Sequence, residues 1–203
     1  MSIVNNTPTV VSFGEDVLER MVLAVEKVRE RLRRASIALD AAGIPYAVIG
    51  GNAVAAWVSK VDPGAARNTV DVDLMVKRSD FPAVSAALEK AGFVYQDLLG
   101  VAMFLDGPNG SPRDAIHLLY AGEKVRPHYA AAAPDLDTVE EHDAFQLLAL
   151  EPLVRMKLTS YRRKDQVHLL DLIEVGLIDR SWLDRLQPEL ATRLQELLDD
   201  PDG

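Results

Sequence analysis

A chain of 203 residues, 48% hydrophobic and 26% charged, has room for one compact domain, or for a main domain with a smaller helical one. It has no cysteine, which excludes disulfides, thiolate chemistry and cysteine-based zinc sites, and its net charge of -9 argues against a broad nucleic-acid surface. No apolar run approaches the roughly 20 residues of a membrane span, and no basic-then-apolar leader opens the chain, so a cytoplasmic protein is expected.

Residues 1–12 are polar and β-branched without a clear period, and read as a loose tail, with room for a short strand. Over residues 15–42 apolar side chains recur at helical spacing (Val17, Leu18, Met21, Val22, Val25, Val28, Leu32, Ile37, Leu39), which predicts a long amphipathic helix with a break near Ala35-Ser36. Gly43 ends it and Pro45 prevents its resumption. Residues 46–49 are a short buried strand, Gly50-Gly51 a turn, and 52–58 a helix. Asp62-Pro63-Gly64 supplies turn chemistry, and residues 70–76 form a second strand. Ser79 or Asp80 caps a helix that Gly92 closes. Residues 93–95 and 101–105 read as paired strands, and 114–120 as another. Residues 121–137, with glycine, two prolines and an alanine run, suggest an irregular crossing segment. From Thr138 onward the pattern is helical: 147–162, 165–175, a short piece at Ser181-Trp182, and 188–198.

The expected fold class is therefore α/β (α+β): a small mixed sheet flanked by helices, followed by a helical segment. Three regions are expected: 1–42 (tail and amphipathic helix), 43–137 (α/β core) and 138–203 (helical).

Two features carry chemistry. Gly50-Gly51 lets the backbone bend and a ligand approach closely, and the helix that follows offers free N–H groups and a positive dipole end, which suits a phosphate. Asp71 and Asp73 alternate along a strand, so both carboxylates project from one face, roughly 7 Å apart. They stand between apolar residues, in Val70-Asp-Val-Asp-Leu-Met-Val76, where carboxylates need a partner, and a hard divalent cation is the natural one.

Strand, Gly-Gly, helix, then Arg67-x-Thr69-x-Asp71-x-Asp73 on the next strand resembles the nucleotidyltransferase superfamily with its polymerase-β-like core. The resemblance covers roughly residues 40–175. It implies a Mg²⁺ (or Mn²⁺) ion held by Asp71 and Asp73, and a nucleoside triphosphate cradled by Gly50, Gly51 and Asn52, with Arg67 and Thr69 beside it. Many relatives add a third carboxylate directly before an apolar pair on a later strand. Here His117 occupies that place and Asp114 lies three residues earlier, facing the other side of a regular strand. Either His117 replaces the carboxylate as ligand or general base, or Asp114 supplies it from a shifted register, or it is absent.

The run from Leu153 to Leu172 resembles a second block, found in stand-alone bacterial members related to abortive-infection and toxin groups. It contains Lys157, Arg162, Lys164, Asp165 and Asp171. Lys157 shares a helix face with Val154 and Tyr161, from which it can reach a triphosphate, and Asp165 opens the next helix as a cap. His168 stands where many relatives carry an aspartate. What the resemblance implies is transfer of a nucleoside monophosphate from an NTP to a hydroxyl of an RNA end, a protein or a small molecule, possible also as a toxin with an antitoxin or other protein partner. The competing reading is a non-catalytic module of the same fold that binds a nucleotide or a protein.

Overall fold

A computed structural model describes residues 15–98, 100–142 and 145–201. The tail predicted over residues 1–12 lies outside them. Helix α1 (Glu15–Ala41) runs unbroken through Ala35 and Ser36, both fully buried: small side chains there let the helix lie close on the sheet rather than break. Strand β1 (Tyr46–Ile49) leads into α2 (Gly50–Ser59), and β2 (Val72–Val76) into α3 (Phe81–Lys90) through one 3₁₀ turn. The hairpin of β3 (Val94–Leu98) and β4 (Val101–Leu105) precedes β5 (Ile116–Tyr120). An irregular segment then crosses to a second hairpin, β6 (Val139–His142) and β7 (Phe145–Leu148). Helices α4 (Leu150–Ser160), α5 (Arg163–Glu174) and α6 (Pro188–Asp199) complete the described chain, with a 3₁₀ stretch over Arg180–Arg185.

The seven strands form one mixed sheet in the order β3-β4-β5-β2-β1-β7-β6. β1 is antiparallel to β2, whereas β2 with β5 and β1 with β7 are parallel. The pleat divides the core in two. Val72, Leu74 and Val76 of β2, with Ile116 and Leu118 of β5, pack under α1 and α3. Met75 belongs to the other cluster, under α2, α4, α5 and α6, where Val54, Trp57, Leu153, Leu158 and Leu169 are buried. Asp73 and His117 alternate with the first set, so both face the α2–α4–α5 side.

Three expectations need correction. Residues 139–142 and 145–148 form the antiparallel strands β6 and β7 rather than helix. Leu147 and Leu148 are fully buried, and Leu147 pairs in parallel with Val48. An apolar run of this length is compatible with either conformation, and the open edge of β1 selects the strand. The second strand begins at Val72, not Val70. The four-residue β1 reaches only to the Ile49–Asp73 pair, and β5 only to the Val72–Ile116 pair, so Val70 and Asp71 have no ladder to join. Asp114 is not on a strand. Pro112–Asp114 is a 3₁₀ turn held by the Arg113 N–H donating to Ser111 Oγ (3.2 Å), and the strand starts two residues later.

Candidate active site

The site is built where β1, β2 and β5 meet the α4–α5 hairpin. Gly50 opens α2 with φ +69°, in the left-handed region. A Cβ there would stand 2.0 Å from Asp73 Oδ2. The carboxylate thus lies directly over the glycine, and only a residue without a side chain leaves it room. The neighbouring Gly51 is tight for another reason: its Cβ would fall 2.9 Å from Thr69 Oγ1. Gly50→Ala is expected to destabilise the fold by at least about 2 kcal/mol, adding left-handed strain to a displaced carboxylate. Chemical denaturation checks this, and a variant within 0.5 kcal/mol of the parent, on the order of surface-substitution noise, would contradict the geometry.

Asp73 pairs in register with His117, whose Nδ1 lies 3.7 Å from its Oδ1. Burial pushes the Asp73 carboxyl up from its ordinary value, opposed by His117, Lys157 and Lys164 nearby. Asp71, on the lead-in to β2, is held in two ways. Asn52 Nδ2 donates to its backbone carbonyl (2.7 Å), and Lys164 Nζ to its carboxylate (3.3 Å).

The helical wall is organised by a buried acid. Asp165 is fully buried and accepts from Lys157 Nζ (3.1 Å), Ser160 Oγ (2.8 Å), the Arg162 backbone N–H (3.2 Å) and Arg162 Nε (2.7 Å). Burial pushes its pKa up, but the Arg162 hydrogen bond, Lys157 and Ser160 outweigh this and hold it at about 2. Lys157 is itself buried, which pulls its ammonium down while Asp165 and Asp73 raise it. The two helices meet across a tight corner. Tyr161 caps α4 in the left-handed conformation (φ 45°), anchored by its hydroxyl donating to Arg193 O at 3.0 Å. The expected cap role of Asp165 holds, as the third residue of α5 bonding back to the Arg162 N–H.

Gly50, Asp71, Asp73, His117, Lys157, Arg162, Lys164 and Asp165 line one cavity of about 380 Å³. Other predicted residues fall elsewhere. Arg67 pairs with Asp171 (2.7 Å) and, with Gly51, Thr69 and His168, borders a small separate cleft, so it ties the loop before β2 to α5 instead of facing the cavity. Asn52 acts through the Asp71 backbone. Asp114 lines a different cavity of about 320 Å³ with Arg20, Lys27 and Arg31 of α1. Of Asp114 and His117, His117 is the one that reaches Asp73.

The sequence reading missed the third wall. Val125, Arg126, Tyr129 and Ala131–Ala133 of the crossing segment line the same cavity. The available signal was an Arg and a Tyr in an irregular stretch that leaves the end of a strand carrying a site residue.

His168 is half-buried on α5, with Nδ1 making no hydrogen bond among the described residues. Burial, then Lys157, lowers its pKa from 6.5 to about 4. The unfolded chain therefore takes up this proton first. The stability of neutral His168 is fully present above pH 6.5 and is lost as pH falls toward about 4. His168→Gln should reduce the stability loss between pH 7 and pH 5 by about 1 kcal/mol, a figure discounted for partial exposure, as read by urea titration at the two pH values. Identical losses in both proteins would refute the assignment.

Among the described residues no three His, Asp or Glu side chains gather as a ready cage for a metal ion. Two carboxylates opening into one cavity instead suit Mg²⁺, which keeps several waters and takes one or two carboxylates together with substrate phosphates.

The seven-stranded mixed sheet and its helices share the fold of solved nucleotidyltransferases and nucleotidyltransferase-like proteins. Among solved structures, the chain is similar to an antigenic nucleotidyltransferase-like protein from Paracoccidioides brasiliensis, with a TM-score of 0.55 and 21% identity over 87% of this chain and 90% of that one. It is also similar to the antibiotic-resistance factor ANT(2'')-Ia, with a TM-score of 0.51 and 13% identity over 90% of this chain and 94% of that one. No family model and no curated protein matches the sequence. No helix among the described residues is long and apolar enough to cross a membrane.

Proposed function

We propose that the protein is a nucleotidyltransferase that moves a nucleoside monophosphate from an NTP to a hydroxyl acceptor. The observation that carries the reading is the convergence of Gly50, Asp71 and Asp73 from the sheet with Lys157, Arg162 and Lys164 from the helices on one cavity. The acceptor oxygen forms a bond to the α-phosphorus, the bond from that phosphorus to the oxygen leading to the β-phosphate breaks, and pyrophosphate leaves. The hydroxyl proton passes to the imidazole of His117, beside Asp73. Lys157, Arg162 and Lys164 hold the triphosphate and offset charge that develops on the leaving group. Asp71 and Asp73 would hold Mg²⁺ or Mn²⁺, which supplies charge neutralisation at the phosphates.

Each α-labelled NTP is incubated with the protein, Mg²⁺ and cell extract. Pyrophosphate release together with a labelled acceptor is the expected result. Nucleotide binding without pyrophosphate release would favour the non-catalytic module instead.

A further inference from the structure

The third wall of the cavity is a closed loop. Gly122 N donates to Ala133 O (3.1 Å) and Ala133 N to Glu123 O (2.8 Å), so residues 124–132 leave and return at one point. Arg78 fastens that point, gripping Glu123 with two bonds of 2.5 and 2.6 Å and lying 3.7 Å over the Tyr120 ring. The loop is thus presented to the cavity on a fixed base, with Arg126 and Tyr129 on its inner side and the Arg126 carbonyl accepting from the Tyr129 N–H (3.0 Å).

The charges around the cavity are unevenly committed. Asp165 is paired with Lys157 and Arg162, and in the transfer reading the metal takes up Asp71 and Asp73, which here face Lys164 and the His117 imidazole. Arg126 is the one lining cation that forms no ion pair among the described residues. No carboxylate is left over to receive an ammonium group, and one guanidinium is left over to receive an anion.

Building on the transfer reading above, we infer that the acceptor is a small phosphate-bearing hydroxyl compound whose phosphate is read by Arg126. A polycationic acceptor would meet an unpaired arginine and no free acid. A long polyanion would meet a protein of net charge -9. Tyr129 and the alanines beside it offer the apolar surface for the remainder of the molecule.

The test uses the full chain loaded with Mg²⁺ and a saturating non-hydrolysable NTP analogue, titrated in a calorimeter with uridine 5′-monophosphate, uridine, tobramycin and a 5′-phosphorylated uridine trinucleotide. Uridine 5′-monophosphate should bind at least about tenfold more tightly than uridine, and tobramycin no more tightly than uridine. Arg126→Glu should weaken uridine 5′-monophosphate by about tenfold or more, and Arg126→Lys by only a few-fold. Because Arg126 is exposed, both variants should melt with the parent, which separates charge from folding. Equal binding of nucleotide and nucleoside, tighter binding of tobramycin, a trinucleotide more than about tenfold tighter, no binding of any probe, or an unaffected Arg126→Glu would each overturn the inference while leaving pyrophosphate release intact. Failure of the NTP analogue to bind would overturn the transfer reading and this inference with it.

Discussion

Asp165→Ala is expected to lower the unfolding free energy by about 3–5 kcal/mol, the usual cost of removing one partner from a buried ion pair. The size follows from burial. Asp165 is wholly inaccessible and Lys157 nearly so, with only 6% of its side chain exposed. Without the acid, the ammonium keeps Asp73 as its nearby opposite charge and faces the Arg162 guanidinium uncompensated, and Ser160 Oγ and the Arg162 N–H lose their shared acceptor. The corner between α4 and α5 would loosen with them, and the cavity would lose the geometry of its basic wall. Urea titration measures the loss, and a change below about 1 kcal/mol would mean that Lys157 is not buried against this acid. A companion variant makes the test sharper. Lys157→Met combined with Asp165→Leu removes both charges and should recover most of the stability, because a well-packed apolar pair of similar volume can replace a buried ion pair. The pH dependence has a definite sign. Asp165 is held at about 2, below its ordinary 3.8, so its contribution is fully present above pH 3.8 and is lost as pH falls through about 2.

The double substitution Asp71→Asn with Asp73→Asn is expected to abolish Mg²⁺–NTP binding and to lower pyrophosphate release by at least about 100-fold. Each amide keeps the shape and removes the charge on which a cation depends. Stability should change little. Asp73 already suffers from burial, so neutralising it relieves a desolvation cost while losing the His117 contact. This predicted separation, a nearly intact melt with an inactive site, distinguishes a functional carboxylate pair from a structural one. Calorimetry with Mg²⁺ and an NTP analogue decides the point: unchanged binding in the double variant would end the metal assignment.

Local chemistry made much of this site readable. Gly50-Gly51 after an apolar strand, and Asp71-x-Asp73 between apolar residues, announce a tight turn and two carboxylates on one face, because strand periodicity is set by the backbone itself. The eight positions that separate Lys157 from Asp165 span the end of one helix and the first turn of the next, a spacing that lets the two side chains meet once the corner is closed. The departures have one cause. Residues 147–148 became strand because β1 had an open edge for them, and Val70 stayed outside because its neighbours were too short. Arg67 was taken up by Asp171, 104 positions away in sequence, a partner that no local pattern specifies.

The sequence by itself determined the fold class, the glycine turn, the paired aspartates and the acid that organises the helical wall, since each depends on residues within one or two turns of chain. Tertiary structure decided which of Asp114 and His117 reaches Asp73, that Arg67 is tied down elsewhere, and that Arg126 and Tyr129 close the cavity. Those outcomes depend on strand register and on a loop whose ends meet through Gly122 and Ala133, and register and closure are properties of pairing between distant segments.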